Sequence, residues 1–185
     1  MVREGSGALI LVGLSGSGKS TVGRLVAARL GLPVFDTDRM IEQRSGHTIA
    51  DLFASRGEAA FRELEAAAVA DACTRSGVVA VGGGAVLRAD NRARMRQGNL
   101  VIWLDTSAGI LASRLAHHTH GEERPLLRGD LDERMSTLWV ARRAAYAAAA
   151  HVRVPTSRSA HSGSHAVAAT VTACFRAWLD GWAVP

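Results

Sequence analysis

The stretch GLSGSGKST, running from Gly13 to Thr21, fits the pattern G-x-x-x-x-G-K-[ST] at Gly13, Gly18, Lys19 and Ser20. Glycines in such a loop let backbone N–H groups curl round phosphate oxygens without side-chain clashes. A helix opening at the loop adds the positive end of its dipole. Ser20 supplies the hydroxyl that binds Mg²⁺ in loops of this kind. Lys19 is the only lysine in the chain; the other 21 of its 22 Lys plus Arg residues are arginine. A phosphate cradle suits a compact ammonium on a flexible stem better than a wide planar fork. That is a physical reason for lysine at this one place.

Other residues along the chain have types suited to phosphoryl transfer onto an anionic acceptor. Asp36 and Asp38 stand in DTD at the end of an expected strand, and residues i and i+2 of an extended segment share a face. One carboxylate there can hold Mg²⁺ through water and the other accept a proton from an attacking hydroxyl; alternatively, Asp38 caps a helix starting near Arg39. Arg62 follows Glu58 by four residues and precedes Glu65 by three. It is either an exposed helical ion pair or an arginine oriented by carboxylates to grip a substrate carboxylate bidentately. Arg142, four residues before Tyr146, is either a surface arginine or a second arginine that holds an anionic substrate. The triplet Gly82, Gly83 and Gly84 either makes a tight turn or lets backbone approach a ligand closely. Arg124 lies in the 117–130 stretch HHTHGEERPLLRGD, a loop long enough to be a lid that swings an arginine onto phosphates. His117, His118 and His120 in the same loop have no acidic or cysteine partner at a recognised metal spacing and read as solvated.

These residues need a frame to position them. The run ALILV (8–12) reads as a buried parallel strand, and Val22, Leu25, Val26 and Leu30 recur at helical spacing up to Gly31. LPVFD (32–36), VVAV (78–81), LVIWL (100–104) and HVRVP (151–155) predict four more strands. Between them lie a helix from about Arg39, one opened by a capping-box-like Thr48 and Asp51, and one from Glu58 to about Thr74. Further helices are expected over Ser107 to about His117 and over Asp132 to Ala149. After a loop over 156–164, a last one should run to about Trp182. Strands alternating with helices imply a parallel sheet covered on both faces, with ligands beyond the carboxyl ends of the strands. All the motifs fall at those ends.

The chain has 185 residues, enough for one domain with a proper core, and neither repeats nor a linker divide it. Its net charge of +5 suits polyanions. The arginines are scattered, however, and the densest group, Arg88, Arg92, Arg94 and Arg96, lacks interleaved aromatics and reads as a solvated helix face. Cys73 and Cys174 are far apart and read as free buried thiols of a reducing compartment. No apolar run reaches the length of a membrane span, and residues 8–12 are too short for a signal-peptide core. A cytoplasmic monomer that binds neither nucleic acid nor membrane is expected.

Taken in order, GLSGSGKST (13–21), FDTDRMIEQRSGHTIADLF (35–53), GEAAFRELE (57–65), VGGGAV (81–86), RPLL (124–127) and RRAAY (142–146) resemble the shikimate kinase family from residue 8 to about 158. The phosphate loop is shared by many kinases; the combination with the other segments is far more specific. The resemblance implies a three-layer α/β P-loop NTPase fold, with a five-stranded parallel sheet flanked by helices and a mobile lid at about 117–129. It implies a single kinase domain over 1–185 with a substrate-binding region at about 37–65. The implied reaction is ATP-dependent phosphorylation of the 3-hydroxyl of shikimate, with one Mg²⁺ per active site, in aromatic amino acid biosynthesis. By the match, Gly16, Ser17, Gly18, Lys19, Ser20 and Thr21 hold ATP, Arg114 lies beside the adenine, Arg124 reaches the phosphates and Arg158 lies over the nucleotide. Lys19, Asp38 and Arg124 act in catalysis, and Ser20 and Asp36 hold Mg²⁺. Asp38, Gly82, Gly83, Gly84, Arg62 and Arg142 hold shikimate, with Phe53 and Phe61 as pocket walls. The chain departs from the family in a longer, histidine-bearing lid, in Ala80 where Ser or Thr is common, in Pro155 where Asp is common, and in Ala145 before Tyr146.

The phosphate loop also resembles those of gluconate and adenylylsulfate kinases; TIADLF, GE-x-x-FR-x-x-E and RPLL argue against those acceptors. A nucleotide-dependent nucleic-acid binder would need a contiguous basic stripe.

Overall fold

Consecutive side chains of a strand point to opposite faces of a sheet, and all four residues of β1 (Leu9–Val12) are apolar and buried. Such a strand needs cover on both sides. In the computed structural model, which describes residues 7–118, 131–156 and 162–181, it has that cover. Leu9 and Leu11 pack with Val78, Leu100, Ile102 and Leu104 against α1 (Lys19–Leu30) and α7 (Ser162–Leu179). Ile10 and Val12 pack with Val79, Val101 and Trp103 on the opposite face. There the cover comes from the end of α3 (Ile49–Ala72) and from α4 (Ala89–Arg96), α5 (Ala108–His118) and α6 (Leu131–Ala149).

The five strands, β1, β2 (Val34–Asp36), β3 (Val78–Ala80), β4 (Leu100–Asp105) and β5 (Val152–Pro155), form one parallel sheet in the order β2-β3-β1-β4-β5. All their carboxyl ends therefore lie along one edge. The register sets Asp36 level with Ala80, and Ala80 level with Leu11. DTD, the glycine triplet and the phosphate loop thus leave the sheet side by side.

Two expectations need correction. The helix expected from Arg39 is α2 (Thr37–Ser45), and its N-cap is Asp36 rather than Asp38. An N-cap residue needs extended backbone; Asp36, the last residue of β2, has it (φ −111°, ψ 116°), and its carboxylate accepts from the N–H groups of Asp38 and Arg39. The second correction concerns the loop expected over 156–164, because α7 already begins at Ser162. Ser and Gly signal a loop in sequence, yet both are tolerated in a first helical turn. Residues 157–161, and most of the expected lid, lie outside the described residues.

The two helices expected between residues 48 and 74 are both present within α3, which kinks between them at Gly57 (φ 76°, ψ 172°). The capping box is reciprocal: Asp51 N–H donates to Thr48 Oγ1 at 3.1 Å, and Thr48 N–H donates to the Asp51 carboxylate at 3.3 Å. Ile41, Leu52, Phe61 and Ala68 make a separate small core that fixes α2 on α3.

Arg94 and Arg96 of the basic cluster are exposed, as expected of a solvated helix face, while three of its four arginines also bond to neighbouring segments. Arg88 pairs with Glu63 at 2.6 Å, Arg92 donates to the Val86 carbonyl at 2.8 Å, and Arg96 donates to the carbonyl of Ala150, just past the end of α6, at 3.0 Å.

Gly57 has empty space where a Cβ would go, but its dihedrals are those only glycine adopts readily. Gly57→Ala is expected to destabilise the protein by about 1–2 kcal/mol through backbone strain alone, read as a lower denaturant midpoint with an unchanged m-value.

Candidate active site

The chain turns from β1 into α1 through Gly18, whose φ of 93° only glycine takes without strain. The first turn of α1 has no acidic residue, so its positive end stays uncompensated for an anion. Lys19 folds over the loop, donating from Nζ to the carbonyls of Gly13 (2.8 Å) and Leu14 (2.9 Å). Arg114 of α5 flanks the loop, reaching the Gly16 carbonyl at 3.3 Å and the Thr156 carbonyl at 3.4 Å. Burial lowers its guanidinium somewhat from the ordinary value. Ser17 is buried with its hydroxyl unpartnered, close under Gly13, and its N–H donates to the Leu14 carbonyl at 3.1 Å.

Ser20 Oγ donates to Asp36 Oδ2 at 2.8 Å. The pair fits Mg²⁺, which takes hard oxygen donors, few of them from protein, and keeps several waters. Among the described residues no group of three or more His, Cys, Asp or Glu gathers as a metal cage. With its other oxygen capping α2, the Asp36 carboxylate is held at both ends.

The glycine triplet is where the remaining side chains meet. A Cβ on Gly82 would stand 2.6 Å from Asp38 Oδ1 and 2.8 Å from Glu65 Oε1, and one on Gly84 would collide with the Arg62 guanidinium. The Gly83 carbonyl accepts from Tyr146 Oη at 2.5 Å and from Arg142 Nη1 at 3.3 Å. Only residues without side chains leave room for this convergence. Arg62 is gripped from both sides, by Glu65 (2.8 Å) and Glu58 (2.8 Å). Its own side chain is 16% exposed and that of Glu65 only 1%, so the surface ion-pair reading fails for this pair. Burial pushes the Glu65 carboxyl above its ordinary range against the pull of Arg62; Asp38 adds to the rise and Arg142 opposes it. For Arg62, burial acts to lower the guanidinium, and the two glutamates outweigh it, so its charge is secured.

The predicted polar and glycine groups inside the described residues thus gather at one edge of the sheet, whereas the predicted pocket walls Phe53 and Phe61 belong to the small α2–α3 core. Thr37, Glu65 and Tyr146 were not singled out as site residues by sequence reasoning. Thr37 is the middle residue of DTD, and its fully buried hydroxyl accepts from Gly82 N–H at 2.9 Å. Glu65 stood in the sequence only as a partner for Arg62, and Tyr146 only as the end of RRAAY. Arg124 and Arg158 lie outside the described residues, as do the histidine side chains of the expected lid. Phe61 is buried in the small α2–α3 core, its ring 4.5 Å from that of Phe53. A cleft of about 260 Å³ opens beside Ser20 and Asp36, between Arg24, Phe35, Arg39 and Met40. None of the triplet glycines lines it, so the site is defined by its convergent polar groups rather than by this cleft.

A family model for shikimate kinase matches residues 15–175. The chain belongs to the shikimate kinase family. Its members are ATP-dependent kinases, and this kinase shares 51% identity over 152 residues with a shikimate kinase of Symbiobacterium thermophilum, covering 81% of this chain and 87% of that one. The structure of a shikimate kinase from Acinetobacter baumannii in complex with shikimate superposes with a TM-score of 0.81 at 30% identity, covering 89% of this kinase and 90% of that chain. A gluconokinase from Sinorhizobium meliloti reaches a TM-score of 0.53 at 22% identity, which is likeness of fold alone.

Tyr146 is the only tyrosine of the kinase, so phenol ionisation reports on it without ambiguity. Burial raises its phenol well above the usual value, against the opposing pull of Arg142. Near-ultraviolet absorbance should therefore show no phenolate in the native state at pH of about 10, where an exposed tyrosine ionises. Because the folded value is raised, the stability tied to this proton is intact below the unfolded pKa and is lost as pH rises beyond it. Glu65→Gln keeps the shape but removes the charge orienting Arg62; the shikimate KM should rise about tenfold with the fold retained.

Proposed function

We propose that Lys19, Asp38, Arg62 and Arg142 carry the transfer of the γ-phosphoryl group of ATP to the 3-hydroxyl of shikimate. The observation that supports this most is the convergence of Asp38, Arg62 and Arg142 on one glycine triplet beside the phosphate loop. The two arginines grip the acceptor carboxylate, and Asp38 orients the acceptor hydroxyl and takes its proton. A bond forms between that hydroxyl oxygen and the γ-phosphorus as the bond from the γ-phosphorus to the bridging oxygen breaks, releasing ADP. The transition state of such transfers is loose, so positioning and charge stabilisation do most of the work. Lys19 neutralises charge developing on the phosphoryl oxygens, and Gly16 to Thr21 cradle the phosphates. Ser20 and Asp36 would hold Mg²⁺, which neutralises phosphate charge when bound. Arg114 flanks the nucleotide, and Arg124 and Arg158 complete its cover.

The chain is read as one domain over 1–185, with its acceptor region at about 37–65 and its lid at about 117–129, acting as a cytoplasmic monomer without nucleic-acid or membrane partners. One continuous sheet supports the first point. Among the described residues no helix is long and apolar enough to cross a membrane.

The test is ADP release with ATP and Mg²⁺ in the presence of shikimate, gluconate, adenylylsulfate or no acceptor, with Lys19→Ala as the blank. Turnover is expected with shikimate alone. Intact ATP binding without shikimate turnover would mean that the nucleotide site is right and the acceptor wrong. Arg62→Ala should raise the shikimate KM by about tenfold or more, since a charge-assisted bidentate contact is lost, and leave the ATP KM close to wild type. Asp38→Asn should lose most of kcat.

A further inference from the structure

We propose that two buried hydroxyls, those of Thr37 and Tyr146, clamp two successive residues of the glycine triplet and so set the geometry of the acceptor site. The inference rests on the assignment of Asp38, Arg62 and Arg142 to the acceptor.

The Thr37 half follows from the ladder between β2 and β3. In this register Val34 stands opposite Val78, and Val78 N–H donates to the carbonyl one residue before, that of Pro33, at 2.9 Å. The same step further along would send the N–H of Gly82 to the Thr37 carbonyl. That carbonyl is not available to the sheet, because Asp36 caps α2 and Thr37 is already its first helical residue. The Thr37 hydroxyl takes its place, accepting from Gly82 N–H at 2.9 Å with no exposure to solvent. One side-chain bond thereby extends the ladder past the end of β2 while the backbone turns into a helix. Without it, a buried N–H would have no acceptor, which is among the costlier polar defects.

The Tyr146 half acts on the next residue. Tyr146 Oη donates to the Gly83 carbonyl at 2.5 Å, and the ring is 1% exposed and stacked on Trp103 at 5.8 Å. Arg142 lies one helical turn earlier on the same face of α6 and reaches the same carbonyl at 3.3 Å. Tyr146 therefore fixes the oxygen against which Arg142 is placed.

Between these two anchors the triplet has little freedom, and its neighbours are the acceptor-side groups. Asp38 and Glu65 stand within 2.8 Å of where a Cβ of Gly82 would lie, and Arg62 closes over Gly84. A shift of the triplet by a fraction of an ångström changes the room left to all three. Thr37 and Tyr146 are positioning residues: they act through the triplet on Asp38, Arg62 and Arg142.

The experiment compares Thr37→Val, Thr37→Ser and Tyr146→Phe with wild type in four readings: shikimate KM, ATP KM, calorimetric shikimate Kd and Tm. Valine keeps the shape of threonine without the acceptor, and serine keeps the acceptor. Thr37→Val and Tyr146→Phe are each expected to raise shikimate KM and Kd about tenfold and to leave ATP KM within about twofold, while Thr37→Ser stays close to wild type. A lowered Tm with shikimate Kd unchanged would overturn the clamp and leave both hydroxyls as parts of the core. So would parallel rises in the shikimate and ATP constants. If Thr37→Val does not fold, Tyr146→Phe and Thr37→Ser decide by the same measures. Failure of the wild type to turn over shikimate would sink the acceptor assignment; failure of the variants to differ from an active wild type would sink the clamp.

Discussion

The parallel register that sets Asp36, Ala80 and Leu11 at one level is the constraint from which the catalytic edge is built. Strand ends in a parallel sheet all point the same way, so three chain segments leave the sheet together and must diverge in different conformations. After β1 the chain makes the phosphate loop and enters α1; after β2 it enters α2 at once; after β3 it passes through Val81 into three glycines. A stagger of one residue in any of the three strands would exchange the faces of its side chains and remove Asp38 or the triplet from the site.

Charge within the site is arranged in pairs of unequal burial. Arg62 is held between Glu65, which is nearly inaccessible, and Glu58, which faces solvent. A buried ion pair of this kind is weak evidence for stability, because desolvation of both ions offsets their attraction. Its value here is geometric: a guanidinium bonded at all three of its nitrogens, Nε and Nη2 to Glu58 and Nη1 to Glu65, is held in one orientation with its remaining N–H donors aimed one way. The upward push on Glu65 and the secured charge on Arg62 are two sides of that arrangement. The same logic extends to Asp105, whose buried carboxylate takes Arg153 at 2.6 Å and the Trp139 indole at 3.3 Å across β4, β5 and α6.

Arginine serves elsewhere mainly as a fastener. Arg92 and Arg96 satisfy carbonyls at the ends of neighbouring segments, and Arg44 and Arg75 share Asp71 between α2 and α3. A planar fork with five donors suits these many-acceptor positions. The single lysine stands where a point charge must lie over curled backbone, and it donates to the backbone carbonyls of Gly13 and Leu14.

The sequence by itself determined the order of elements, the phosphate loop, the paired aspartates and the family, because hydrophobic periodicity, glycine placement and local spacing are written in consecutive residues. The capping box at Thr48 and Asp51 and the stop at Gly31 were equally legible, since caps act within one helical turn. Tertiary structure decided which aspartate caps α2, because that depends on where β2 stops pairing, and it moved the start of α7. It also decided that Arg62 is half-buried against a fully buried Glu65 rather than exposed, and that Thr37, Glu65 and Tyr146 meet at the triplet. Those contacts join residues up to 63 positions apart. Nothing in their local spacing announces them; they exist only once a sheet brings three strand ends to one edge and packs two helices over it.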